Sequence, residues 1–527
     1  MNTLSELQHE AHPGQRGAQR CARREAGQEA AHLDGKTSVI AYLPTSLTAV
    51  AAAITVLTLA GCAAMGDADR PLAKMNDAGN YAAQKSLPAQ GGQWPAANWT
   101  ESLADPQLKA LIDEALAGNP SLQAAQARIA AARAAVSAAD SATKPSYAVN
   151  AESTYQRISE NFIYPAPLAG NWFTLNDATV GAKYDLDLWG RHSTALKSAV
   201  AQDMAAQAEA QAVKLTLTAA VARAYNQLGL QIAQRDLVKR NLDLRDQFSA
   251  LTQQRLKAGL DTRIEDSASR GNRASAALEV QQLDEQIDLT RHQLAALLGK
   301  GPDRGLTIAA PRLQALPAPR LPDNAQIDLL SRRPDLVAAR WRVEAAGKDV
   351  QTAKSEFMPN ISLSGFAGFQ SIGLNKLMQP SSRIIGWGPA IHLPILEGGT
   401  LRANLSGKNA AYDNAVASYN QTLTEALREL ADQVAGIENT EKQIEQQNVA
   451  LQAARHGWEL AQTRYKAGLG SQLQVLGAES AYLTQSRVSA NLLARRIDLQ
   501  IGLIKALSGG VDAAAPATAS QQTNTQG

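Results

Sequence analysis

Histidine and cysteine are the residues that most readily act as metal ligands or nucleophiles, and this chain has few of either. Its 527 residues include seven histidines and two cysteines, Cys21 and Cys62. The histidines lie far apart after the first 32 residues: His9, His12, His32, His192, His292, His392 and His456. C-x-x-C, G-x-S-x-G and P-loop motifs are absent. The sequence therefore predicts no catalytic residue, metal site or cofactor, and a protein that is not an enzyme.

Charge and composition narrow the class of protein. The chain carries 51 basic and 49 acidic side chains, whereas a nucleic-acid-binding protein usually has an excess of basic residues. Its length allows two or three ordinary domains. Aromatic residues make up only 5% of the chain and alanine is abundant, which favours long helices over a β-sandwich. We expect a helix-rich protein without a nucleic-acid partner.

Cys62 is the one residue whose neighbours predict a chemical modification. Residues 37–66 carry no charge, and the apolar run 45–62 ends in Leu-Ala-Gly-Cys. This pattern resembles the lipobox of bacterial lipoproteins, in which the leader is removed and the cysteine becomes a lipidated N-terminus. The alternative is a membrane-spanning or buried helix with a chance cysteine, although a span needs roughly 20 apolar residues.

The residues around this run refine the hypothesis. Residues 1–36 contain five basic and five acidic side chains, which is too long and too neutral for the start of a secretory signal. We therefore expect the true start codon to lie nearer Lys36. Ala63, rather than an aspartate, follows the cysteine, and in lipoproteins of this type that implies passage to the outer membrane.

The sequence is internally duplicated. Pro120 and Pro145 recur as Pro334 and Pro359 at an offset of 214, and residues 255–260 (RLKAGL) recur as 464–469 (RYKAGL) at 209. A proline-rich linker separates the halves. We predict a leader at residues 1–61, a lipid-anchored segment at 62–105, a first repeat at 106–303, a linker at 304–326, a second repeat at 327–510 and a flexible tail at 511–527.

Each repeat has the pattern of a helix, two strands, a very long helix, a glycine turn and another helix. Residues 400–466 form the clearest long helix, because apolar residues recur every seven positions with further ones between them, as in a coiled coil. These residues are Leu423, Leu427, Leu430, Val434, Ile437, Ile444, Leu451 and Trp458. Such a helix is a rod of roughly 100 Å.

Four runs alternate between apolar and polar residues, which predicts strands that are apolar on one face. The apolar positions are Tyr147, Val149, Ala151 and Tyr155; Ala178, Val180, Ala182, Tyr184, Leu186 and Leu188; Ile361, Leu363, Ala367 and Phe369; and Ile385, Trp387, Ile391, Leu393 and Ile395. Each run is about as long as a tilted transmembrane strand. Trp172, Trp189 and Trp387 near the ends fit an interfacial girdle. The alternative is a half-buried sheet in a soluble protein.

Four strands cannot close a transmembrane barrel, which needs about eight. Open sheet edges cannot face lipid either, because their backbone groups would lack hydrogen-bond partners. We therefore expect several copies of the chain to share one barrel. A dimer would give eight strands with a filled interior, and a trimer would give twelve strands with room for water.

The lipobox at residues 59–62, the duplicated halves and the two AGL turns resemble the TolC-like outer-membrane efflux family, in particular its lipoprotein branch. The resemblance implies a mixed α and β membrane protein: a homotrimer with a twelve-stranded transmembrane β-barrel and a long coiled-coil α-barrel in the periplasm. It also implies a passive duct for small molecules, which docks to a periplasmic adaptor protein and an inner-membrane RND pump.

The resemblance further assigns roles to the turns between the long helices. Their matching residues, Gly259, Leu260, Gly468 and Leu469, would meet the adaptor. A glycine here is also expected simply as a helix C-cap. A leucine at an exposed turn favours a partner.

The family often has an acidic residue six positions after the turn glycine, where it narrows the closed entrance. That position is Glu265 in the first repeat, with Asp261 nearby, but Gln474 in the second. A complete acidic ring is therefore in question. Asp261 and Glu265 are otherwise explained as acidic residues that favour a helix N-terminus.

Two other functions remain open from the sequence alone. One is the same duct serving an ATP-driven type I secretion system. The other is a lipid-anchored structural coiled coil without a pore, which would not conduct ions in a bilayer.

The lipobox hypothesis leads to a direct test. We expect Cys62→Ala to abolish labelling of the protein by palmitate, because the acylated sulfur is removed. The strands carry their own apolar band, so the variant should still insert into the membrane. Palmitate labelling that persists in the variant would rule out Cys62 as the attachment site.

Overall fold

The computed structural model describes residues 70–508, apart from residues 71, 89, 97, 162, 318–319, 324 and 395–396. The helices are α1 (Pro106–Gly118), α2 (Pro120–Ser141), α3 (Arg191–Lys257), α4 (Arg263–Leu297), α5 (Asp303–Leu306), α6 (Ala325–Arg332), α7 (Pro334–Ser355), α8 (Gly398–Lys466) and α9 (Gln472–Ala506). The strands are β1 (Ser146–Arg157), β2 (Trp172–Leu186), β3 (Asn360–Ile372) and β4 (Arg383–His392). Cys62, the leader and the C-terminal tail lie outside the described residues.

The two halves of the chain contain corresponding helices of similar length. Helices α2 and α7 have 22 residues each and begin at Pro120 and Pro334, where a proline without an N–H is tolerated at the first helical position. Helices α4 and α9 have 35 residues each, and the long helices α3 and α8 have 67 and 69. Among the described residues, none of these helices is both long enough and apolar enough to cross a membrane.

The predicted seam of the second long helix is buried over its middle third. Leu423 and Leu430 are fully buried and Ile437 is 6% exposed. Further along, Ile444, Leu451 and Trp458 are only half-buried. The seam residues are therefore buried near the middle of α8 and only half-buried toward its end.

Aromatic contacts join the helices near the end of α8, where the seam residues are only half-buried. The Trp458 ring of α8 stacks on Tyr482 of α9, with the ring centres 5.3 Å apart. The guanidinium of Arg240, from α3, lies 5.5 Å from the centre of the Trp458 ring, a cation–π geometry. Three helices from both repeats thus meet at one tryptophan.

The strands form one antiparallel sheet in the order β1-β2-β3-β4. In its centre Val180 pairs with Val149 on one side and Ala367 on the other, and Ala367 pairs with Ile385. This row belongs to an apolar face that continues across all four strands. The face is exposed, with Val149 at 78% and Ile385 at 83% of their full accessibility.

The strand ends differ from the sequence prediction. Strand β2 ends at Leu186, because the Asp187 carboxylate accepts hydrogen bonds from the backbone N–H groups of His192 and Ser193 at 3.0 and 2.8 Å and so caps α3. Partial burial opposes ionisation, yet these bonds hold the pKa of Asp187 below its usual value. Strand β4 ends at His392, so Leu393 lies beyond it, and Ile395 is outside the described residues.

Residues 70, 72–88 and 90–96, which we call the strap, run along the second repeat. Arg70 forms an ion pair with Asp413 of α8, and the backbone N–H of Ala73 donates to the same carboxylate at 3.0 Å. The N–H of Asn76 donates to the Asn420 side chain at 2.8 Å. Further along the strap, Ala78 is fully buried in the core of the second repeat. The start of the described chain is thus fixed to α8.

Candidate functional site

The two turns between long helices lie at the same end of the molecule, about 100 Å along α3 and α8 from the strands at 1.5 Å per helical residue. Leu476, in the second turn of α9, packs with Leu244 near the end of α3. Arg240 Nε also lies 3.3 Å from Glu479 Oε1, which joins the same two helices. We call residues 255–265 the first tip and residues 464–474 the second tip.

Both tips have the same backbone turn. In the first tip the N–H of Leu260 donates to the Arg255 carbonyl at 2.8 Å and the N–H of Gly259 to the Leu256 carbonyl at 3.0 Å. The second tip repeats both bonds at the same distances. This is the Schellman motif, which needs a left-handed residue after the helix. Gly259 and Gly468 supply it with φ values of 75° and 72°.

Apolar side chains are exposed on both tips. Leu260 and Leu469 keep 66% and 71% of their accessibility. Ile264 and Leu473, four residues further along, are 77% and 46% exposed. Sequence reasoning missed this second pair, although its signal was present: an apolar residue in the first helical turn, repeated at the offset of 209. Each tip thus offers an apolar pair of the kind found at interaction sites.

Glu265 and Gln474 occupy equivalent positions and make equivalent bonds. Each closes a capping box: the Thr262 N–H donates to Glu265 Oε2 at 2.8 Å, and the Ser471 N–H donates to Gln474 Oε1 at 3.2 Å. The hydroxyl of Thr262 also donates to Glu265 and lowers its pKa, with help from backbone N–H groups. Both residues stabilise a helix start, and they differ mainly in charge.

The other acidic residues of the first tip also have local partners. Asp261 accepts two hydrogen bonds from Arg255, from Nε and Nη2 at 2.9 Å each. Asp266 is only 5% exposed and accepts from Arg270. Glu265 therefore has the helix-end role that the sequence left as an alternative, whereas the Asp261 carboxylate pairs with Arg255.

Among the described residues, no group of three or more His, Cys, Asp or Glu side chains is arranged to hold a metal ion.

Comparison with known proteins identifies the family. The model of the outer membrane efflux protein family matches residues 111–300 and 327–509. The chain is 39% identical to the fusaric acid resistance protein FusA of Burkholderia cepacia, over 67% of this chain and 68% of FusA. It is 33% identical to the multidrug resistance outer membrane protein MdtP of Shigella flexneri, over 80% of this chain and 88% of MdtP.

A solved structure agrees with these sequence matches. The outer membrane protein VceC of Vibrio cholerae superposes with a TM-score of 0.73 and 35% identity, over 79% of this chain and all of VceC. Proteins of this family are efflux channels rather than enzymes. With both repeats matched, this chain belongs to the outer membrane efflux protein family and is an efflux duct of the outer membrane.

Proposed function

We propose that this chain is the exit duct of a tripartite efflux pump, which lets small toxic molecules pass passively from a periplasmic assembly to the exterior. The observation that carries the proposal is the arrangement of two exposed surfaces on one protomer. An apolar-faced sheet lies at one end of α3 and α8, and the tips with their exposed apolar pairs lie at the other. The names of FusA and MdtP, which describe resistance to fusaric acid and to multiple drugs, favour small molecules as cargo.

Unpaired sheet edges support a homotrimer. Strands β1 and β4 each have one neighbouring strand, so a row of backbone groups on each would lack partners in lipid. Pairing β1 of one protomer with β4 of the next satisfies both edges. Three copies give twelve strands, enough for a water-filled lumen. Helix α2 also needs a neighbour, because Ala125 is its only buried residue.

The tips support docking to an assembly that supplies energy. The duct is passive, so an inner-membrane RND pump would provide the driving force, and a periplasmic adaptor would connect the pump to the duct. The apolar pairs Leu260–Ile264 and Leu469–Leu473 are the surface that such an adaptor would cover. A lipid on Cys62 would hold the protein to the membrane in addition to the strands. The proposed complex requires no other cofactor.

Docking is tested by removing the apolar pairs. We expect the replacement of all four residues by serine to abolish drug efflux in cells that lack their own duct, while the protein still reaches the outer membrane. A photo-reactive amino acid at Leu469 should capture a periplasmic adaptor, identified by mass spectrometry. Leu289→Ser is the matched control, because Leu289 is 59% exposed on α4 but lies far from the tip. Efflux that survives the quadruple change would contradict the proposal.

The sheet faces predict an asymmetric effect of charge. Val180 lies near the middle of β2 on the apolar face, so Val180→Arg should destabilise the trimer by about 2–4 kcal/mol in a membrane. Leu186→Arg on the same face should cost about 0–1 kcal/mol, because Leu186 ends the strand near an interface. Thr179→Arg, at the same depth on the opposite face, is the control. The temperature of trimer dissociation measures all three, and equal losses at positions 179 and 180 would show that the faces are misassigned.

A substitution at Glu265 can remove the charge proposed for the entrance without removing the helix cap. We propose that Asp261, Glu265 and Gln474 line the entrance, where a ring of carboxylates would favour cations. Glu265→Gln should weaken cation preference and leave the tip folded, because Gln474 closes the same capping box without charge. Since the folded pKa of Glu265 is lowered, the wild-type preference should persist below the usual glutamate pKa and vanish only as the pH falls through the lowered value. An unchanged reversal potential of the Glu265→Gln variant in asymmetric salt would show that Glu265 acts only as a helix cap.

A further inference from the structure

The two tips share a backbone but differ in one internal ion pair. In the first tip both oxygens of the Asp261 carboxylate are held by Arg255. In the second tip Arg464 is equivalent to Arg255, but Gly470 stands in place of Asp261. The Arg464 guanidinium makes one long hydrogen bond, from Nη2 to the Leu469 carbonyl at 3.4 Å. Among the residues that the structure describes, no carboxylate lies within ion-pair distance of the Arg464 guanidinium.

The other charged residues of the tips add to the difference in charge between them. The first tip has three basic and two acidic side chains, so its positive charge is largely balanced within the turn. The second tip has two basic side chains, Arg464 and Lys466, and no acidic one. Arg464 is exposed in the last turn of α8, and Leu469, which follows the glycine of the same tip, is 71% exposed. Arginine is one of the residue types enriched among the residues that dominate binding at protein interfaces.

We propose that Arg464 makes the second tip the recognition point for a carboxylate side chain of the periplasmic adaptor, whereas the first tip docks through its apolar pair alone. This inference rests on the proposed docking function of the tips. The planar guanidinium binds a carboxylate through two parallel hydrogen bonds, which an ammonium cannot do. Arg255 already forms that pair within its own turn, so an arginine at this position has the reach and orientation for it.

The inequality of the tips has a consequence for how an adaptor is oriented. The arginine that precedes the turn is available to an adaptor carboxylate only in the second tip, because Arg255 of the first tip is already paired with Asp261. Binding at the second tip should weaken with salt, and the apolar contact at the first should not. The internal ion pair of the first tip thus directs the partner's acidic group to the other turn.

A transfer of the aspartate between the tips tests this directly. Asp261→Gly with Gly470→Asp moves the internal partner from Arg255 to Arg464 and leaves the net charge unchanged. The new side chain has room: a Cβ on Gly470 would lie 3.1 Å from Gln474 Oε1, the end of a flexible side chain, and 3.4 Å from Arg464 Cβ. Binding is measured between the full-length trimer in detergent and a purified adaptor. The adaptor is the one captured from position 469 in the cross-linking experiment.

We expect Gly470→Asp and Arg464→Ala each to bind this adaptor about tenfold more weakly at low salt, as for the loss of one charge-assisted contact. The exchanged variant should recover affinity, because Arg255 is then free in the first tip. Arg464→Lys should restore part of the affinity. The control Arg455→Ala removes a charge from the same helix, where Arg455 is paired with Glu459 at 2.9 Å, and should bind normally. Wild-type affinity in Gly470→Asp would overturn the inference while docking stands. Equal weakening in Arg455→Ala would show that net charge alone matters and would likewise overturn it. Failure of position 469 to capture any adaptor would overturn the docking function and this inference together.

Discussion

The burial of one side of α3 against helices of the other repeat is the interaction on which the rest of the structure depends. A helix of this length gains little from its own hydrogen bonds and is stabilised mainly by packing. Near its start, Ala208 packs against Val337 and Ala338 of α7, and near its end Leu244 packs against Leu476 of α9. Small residues at the first contact let the helix axes come close. The largest hydrophobic core of the first repeat is therefore completed by Ile497, Ile501 and Ile504 of α9 in the second repeat.

Buried charges reinforce this arrangement where three helices of the second repeat meet. Arg333 is 7% exposed and lies 2.7 Å from Asp335 and 3.0 Å from Glu429. Lys505 binds the other oxygen of Glu429 at 2.9 Å. Arg333 and Glu429 each have two oppositely charged neighbours, which offset the cost of burying them. The first repeat has Asn119 in place of Arg333 and uses its amide to cap α2 and to donate to Leu297. The duplicated backbone thus tolerates different chemistry at equivalent positions.

The sequence predicted the features that depend on local periodicity. The repeat offsets, the long helices, the four strands and the glycine turns follow from patterns that neighbouring residues share. It could not predict that Asp187 ends β2, because that depends on which N–H groups its carboxylate can reach once α3 has formed. The pairing of Asp261 with Arg255 was missed for a similar reason, since it requires the turn that brings residues six apart into contact. The contact of the strap with α8 joins residues more than 300 positions apart, and no local pattern carries it.

The strap also imposes an order on folding. Its contacts with Asp413 and Asn420 join residues 340 to 344 positions apart, so they require most of the second repeat. A chain that leaves the inner membrane with its N-terminus first must therefore deliver α8 before the strap can settle. Loop closure over that distance is slow and entropically costly. The part of the chain that emerges first is among the last to dock, and its attachment marks a protomer whose two repeats have already folded.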